Sequence, residues 1–157
     1  MTQILTLKRV AAGLFSKLPV WPSSLIMAQA LNQALRPLIE DGSLSPLEGK
    51  RVLIQVEDLG LQFRFTLQNY KFTPISGEGQ VDLLIRATLA DFYLLATRQE
   101  DPDTLFFNRR LVIEGDTELG LIAKNTMDSL DVPKPLLAFS HAIVSVEGFK
   151  NRFLRQV

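Results

Sequence analysis

The chain has 157 residues, of which 46% are hydrophobic and 22% charged, the size and balance of one water-soluble domain with a sizeable core. Lysine plus arginine (17) equals aspartate plus glutamate (17), so global charge gives no argument for a nucleic-acid partner, and any attraction to a membrane surface must come from local patches. There is no cysteine, which excludes disulfides, thiol catalysis and thiolate metal sites and fits a reducing cytoplasm.

Residues 1–22 come first. Ile4, Leu5, Leu7, Val10, Leu14, Phe15 and Leu18 are apolar at a helical period, Lys8, Arg9 and Lys17 are basic, and Pro19 and Pro22 end the segment. It lacks a continuous apolar run followed by a small-residue cleavage site, so no secretory signal is expected. Two roles are open: contact with a membrane surface, with Trp21 near the headgroups, or packing on the domain with the basic residues in water. No stretch of the chain approaches the ~18 consecutive apolar residues of a spanning helix.

Ser23-Ser24 offer a helix start, and Ala28, Leu31, Leu35, Leu38 and Ile39 carry a helical stripe to about Asp41. Pro37 lies inside the stripe and removes a backbone donor, so a kink or early end is predicted there. Four strands follow. Val52, Ile54 and Val56 alternate with Leu53, Gln55 and Glu57. After a turn at Asp58-Leu59-Gly60, Leu61, Phe63, Phe65 and Leu67 alternate with Gln62, Arg64, Thr66 and Gln68, which predicts one covered face and one wet face. Tyr70 and Phe72 give a third strand ending at Pro74, and Val81, Leu83, Ile85 and Ala87 a fourth. The short turns favour antiparallel neighbours. Leu89 to about Arg98 reads as a helix, with Asp91 in its first turn and Phe92, Leu95 and Ala96 on one face.

Asp101–Asp131 is the most informative stretch. Asp101-Pro102-Asp103 is a turn or helix-start signal, and Leu105-Phe106-Phe107 is bulky and apolar. Arg109–Glu114 reads as a strand, Gly115 breaks it, and Asp116 caps a helix from Thr117 to Leu130 with the stripe Leu119, Ile122, Ala123 and Met127. Pro133 and Pro135 then link to a terminal helix over Leu136–Phe153. That helix is open to four roles: lid, membrane contact, dimer face or simple packing. The pattern predicts an α+β fold: a five-stranded, mostly antiparallel sheet covered by helices on one face, with helical segments flanking it. The predicted divisions are an amphipathic segment at 1–22, one domain at 23–131 and a C-terminal amphipathic helix at 132–157.

Catalysis has little to draw on. His141 is the only histidine, and no G-x-S-x-G motif occurs. No metal or cofactor site is predicted. Asp101, Asp103, Glu114, Asp116 and Glu118 all fall near helix starts, where a carboxylate stabilises the positive end of the helix dipole. Arg109-Arg110 are either solvated or hold a phosphate at a cavity mouth. The ten phenylalanines are the informative residues. Those on inward or junctional positions form either an aromatic core or the lining of a tunnel, and periodicity does not separate the two.

The run from Leu105 to Leu121, LFFNRRLVIEGDTELGL, resembles the late strand and helix of sterol-carrier-protein (type two) lipid-binding domains. More narrowly, it is similar to bacterial accessory factors that carry such a domain in oxygen-independent ubiquinone biosynthesis. The resemblance is strong in the middle and end of the domain and weaker in the first helix and strands. It implies a hydrophobic cavity between sheet and helices. Its ligands would be lipids, namely polyprenylated quinone precursors and phospholipids. It also implies a non-catalytic role beside the hydroxylation enzymes of ubiquinone biosynthesis, in the cytoplasm or at the periphery of the inner membrane. From residue type and face, the predicted lining is Phe63, Phe65, Phe92, Leu95, Phe106, Leu119, Ile122 and Met127. The competing readings are a scaffold with a filled core that assembles biosynthetic enzymes at the membrane, and a small enzyme acting on a bound lipid.

Overall fold

The computed structural model describes residues 20–130; most of the segment predicted over 1–22 and all of the helix predicted over 132–157, His141 included, lie outside that range. Helix α1 spans Val20–Ala34 and α2 spans Arg36–Glu40, with the break at Leu35 and Pro37 in the first turn of α2. A proline costs no hydrogen bond in a first turn, so the predicted interruption falls where Pro37 is tolerated. The start of α1 differs from the sequence expectation. The helix runs through Pro22 and Ser23-Ser24, and Ser24 caps nothing. Its fully buried hydroxyl instead accepts the Arg64 N–H at 3.0 Å.

The strands are β1 (Arg51–Val56), β2 (Leu61–Gln68), β3 (Lys71–Pro74), β4 (Leu83–Ala87) and β5 (Val112–Gly115), in the order β3-β2-β1-β4-β5. Asn69 and Tyr70 both take positive φ, the two-residue hairpin geometry whose twist matches the flanking strands. Tyr70 is therefore an exposed turn residue and not part of the third strand. Three pairings are antiparallel, but β1 and β4 run parallel, with Val52 beside Leu83 and Val56 beside Ala87. The sheet is mostly antiparallel, as expected, but the expectation that the short turn after the third strand makes the fourth its antiparallel neighbour is corrected. Residues 75–82 make a crossover, not a hairpin. The Ile75 N–H bonds the Arg64 carbonyl, and the Asp82 N–H bonds the Arg51 carbonyl at 2.8 Å. The Asp82 carboxylate in turn accepts the Arg51 N–H at 2.7 Å.

Three further helices complete the domain: α3 (Leu89–Ala96), α4 (Pro102–Phe107) and α5 (Thr117–Ser129). Their starts follow the sequence. Thr88 caps α3, Asp101 accepts the Thr104 N–H ahead of α4, and Asp116 accepts the Glu118 and Leu119 N–H groups ahead of α5. The fifth strand begins later than predicted, because Arg109 turns the chain with φ +58°. One sheet face packs with Ala28, Ile39, Leu95, Leu105, Leu119 and Ala123 from the five described helices, and with Leu35 between the first two, into a single apolar cluster. The opposite face carries Arg51, Gln55, Gln62, Arg64 and Arg86, but it is not uniformly wet. Leu53 and Thr66 are buried there, each directly opposite an arginine (Arg64 and Arg51) whose aliphatic stem can shade a neighbour.

Gly115 sits at φ +122°, and a Cβ there would lie 2.2 Å from the Asp82 carbonyl oxygen. That carbonyl also accepts the Asp116 N–H at 3.1 Å. Gly115→Ala is expected to lower stability by about 2–4 kcal/mol, from overpacking plus backbone strain; urea unfolding with an unchanged m-value measures it. The Asp101 carboxyl lies below the usual aspartate range, held there by its bonds from the Thr104 hydroxyl and then the Thr104 N–H. A depressed value means the cap contributes fully at neutral pH. Its contribution falls as the pH drops below about 4, the unfolded value, and through the folded one. Carboxyl titration by NMR should give Asp101 a midpoint under that of a free aspartate; a midpoint at or above it would mean that the cap does not form.

Candidate functional site

The layer between sheet and helices is built from strand alternation on one side and helical stripes on the other. On β2, Phe63 and Phe65 face the helices and are buried, and Phe65 meets Phe72 of β3 edge-on, with ring centroids 5.5 Å apart. On α3, Leu95 is buried and Phe92 half-buried. On α5, Leu119 is buried, with Ile122 and Met127 half-buried against the same cluster. Among the eight predicted lining residues the layer gathers all but one. Phe106 is 41% exposed, and with Phe107 at 79% it forms an edge-on pair at the end of α4. The expectation that Phe106 points inward is corrected. The helix turns Leu105, which is fully buried, into the layer and so rotates Phe106 and Phe107 outward.

Specific polar contacts border this layer. Asn32 on α1 donates to the Phe72 carbonyl at 2.9 Å and accepts the Phe72 N–H at 2.6 Å, so α1 closes the outer edge of β3. Asp91, 4% exposed, accepts from the Thr88 hydroxyl at 2.8 Å and pairs with Arg110. Arg110 thereby ties the β5 approach to α3, while Arg109 stays exposed. Sequence reasoning placed Asp91 in a first turn but missed this pair. The available signal was an acid inside the otherwise apolar run Leu89–Ala96. Lys124 of α5 pairs with Asp103 of α4 at 2.6 Å and holds the two helices together. The layer is therefore an apolar cluster with charged groups paired at its edges.

Residues 28–128 match the SCP-2 sterol transfer family. The chain belongs to that family. It is 44% identical over 124 residues to the ubiquinone biosynthesis accessory factor UbiT of Escherichia coli K12, a match covering 79% of this chain and 71% of that protein. The same identity and coverage hold for UbiT of Escherichia coli O157:H7. Among solved structures, the UbiJ-SCP2 ubiquinone synthesis protein superposes with a TM-score of 0.54 at 19% identity, covering 66% of this chain and 90% of that one. That likeness shows the fold. Among the described residues, no helix is long and apolar enough to cross a membrane.

Asp91→Ala removes the carboxylate that serves both Thr88 and Arg110. Stability is expected to fall by about 1–3 kcal/mol, at the lower end if the partly exposed Arg110 turns to water. Paired denaturation of Asp91→Ala, Arg110→Ala and the double variant measures the coupling, and additive losses would mean that the pair contributes nothing.

Proposed function

We propose that this protein is a non-catalytic lipid-binding accessory factor for oxygen-independent ubiquinone biosynthesis. In this reading the layer between sheet and helices takes the tail of a polyprenylated ubiquinone intermediate, or of a phospholipid, and presents the head to hydroxylating enzymes. The observation that carries it is the 44% identity to UbiT over 124 residues, 79% of this chain. The physical chemistry is consistent with it. A tail that buries several hundred Å² gains several kcal/mol at ~25 cal/mol per Å², and a lining without fixed polar partners tolerates more than one ligand. Phe63, Phe65, Phe92, Leu95, Leu119, Ile122 and Met127 are the proposed lining. Phe106 is set apart from them, at the outer end of α4. The segments at 1–22 and 132–157 are proposed to meet the membrane surface or the partner enzymes.

The test is mass spectrometry of an organic extract of the purified full chain beside Ile122→Trp and Met127→Trp. Both positions are half-buried, so a larger ring enters ligand space before it strains the core. Recovery of a polyprenylated quinone precursor or phospholipid from the native chain, with severalfold loss in folded variants, is the expected result. A native chain that carries nothing and takes up no added quinone would mean a filled core. The protein would then act through protein contacts as a scaffold.

A further inference from the structure

The polar face of the sheet holds a second feature, unrelated to the apolar layer. An open pocket of about 410 Å³ is lined by Gly49, Arg51, Thr66, Gln68, Pro74, Ile75 and Ser76. Arg51 and Thr66 are directly opposite each other on β1 and β2, and Gln68 projects from the same face of β2 one step along. The crossover residues Ile75 and Ser76 form the remaining wall.

Thr66 is 5% exposed, and its hydroxyl oxygen is buried with no hydrogen-bond partner among the described residues. A buried hydroxyl left unpaired is costly, and such a group calls for a partner such as an ordered water or a bound ion. The Arg51 guanidinium lies against Gly79, within 3.0–3.4 Å of where a Cβ would stand, and forms no ion pair among the described residues. Its backbone N–H, not its side chain, is what Asp82 engages. No acidic residue lines the pocket. Lys71 adds a second positive charge from the position opposite Gln68 on β3. Glu48, the nearest carboxylate in sequence, is held by the Asn69 N–H at 2.9 Å.

We propose that this pocket binds a phosphate-type oxyanion, with Arg51 as the charged fork and the Thr66 and Ser76 hydroxyls and Gln68 amide as neutral donors. A guanidinium matches a phosphate in two parallel hydrogen bonds, and short hydroxyl and amide donors complete the shell. Pro74 and Ile75 supply an apolar shoulder for whatever the phosphate is attached to. The phosphate is carried either by a free small molecule or by an anionic lipid headgroup at a membrane surface. The site lies on the sheet face away from the helices, so it holds whether or not the apolar layer takes a lipid.

The test is a titration of the full chain, followed by backbone amide NMR, with inorganic phosphate, with glycerol 3-phosphate, and with phosphatidylcholine–phosphatidylglycerol vesicles against pure phosphatidylcholine. The variants are Arg51→Gln and Thr66→Val, with the exposed Lys50→Gln as control. Saturable shifts at Thr66, Gln68 and Ser76 are expected, weakened about tenfold or more in Arg51→Gln, weakened in Thr66→Val and unchanged in Lys50→Gln. Thr66→Val should fold at least as stably as the native chain, because it replaces an unpaired hydroxyl with a methyl group. Binding of the soluble phosphates assigns a free ligand. Binding of the anionic vesicles alone, lost in both variants, assigns a lipid headgroup. No saturable binding of any probe, or binding indifferent to both variants, overturns the proposal.

Discussion

Asp82 is the joint on which the sheet turns. Its carboxylate and N–H clamp both backbone groups of Arg51 at the start of β1, and its carbonyl accepts the Asp116 N–H beyond β5. One residue thus holds β4 between two strands of opposite sense, parallel to β1 and antiparallel to β5. Gly115 is the condition for this. Any side chain there would collide with the Asp82 carbonyl, and the φ of +122° is one that side-chain-bearing residues rarely adopt. The crossover that Asp82 ends lets a chain with short local turns build a mixed sheet whose core strands are buried on their helical face.

That sheet separates two environments. On the helical side, the alternating residues of β1, β2 and β4 meet stripes from all five helices, and burial of apolar area is the dominant stabilising term. The same non-directional interaction that holds the layer together would also hold an apolar tail. Its rim is closed by specific polar contacts. Asn32 satisfies the edge of β3, Ser24 satisfies β2 where β3 has ended, and Asp91 with Arg110 ties α3 to the entry of β5.

The opposite face is governed by electrostatics. Arginines share one face of β1, β2 and β4 in staggered positions, and only some are neutralised: Arg86 approaches Glu114 at 3.8 Å, while Arg51 faces an open pocket. A protein with equal numbers of acidic and basic residues overall therefore still presents a locally positive surface. Global charge balance hides this, because the relevant separation is a few ångströms across the sheet and not the length of the chain.

Much of this was legible in the residues. The period-two run Leu61–Leu67 determined which side chains of β2 share the buried face. Pro37 marked the break between α1 and α2, and Asp101 and Asp116 marked two helix starts. These are local signals: they act through φ, through capping of the next few N–H groups and through which face a side chain takes. The wording of Leu105–Leu121 carried the family as well. Tertiary structure alone decided the rest. The parallel pairing of β4 depends on a crossover that looks like a turn in sequence. Phe106 faces out because Leu105 takes the inward position, and one turn of helix has room for only one of them. Asp91 meets Arg110 across 19 positions, and Arg51 meets Thr66 through strand register. Apart from the choice between the adjacent Leu105 and Phe106, each is a contact between residues distant in the chain; all are decided by packing, which no periodicity records.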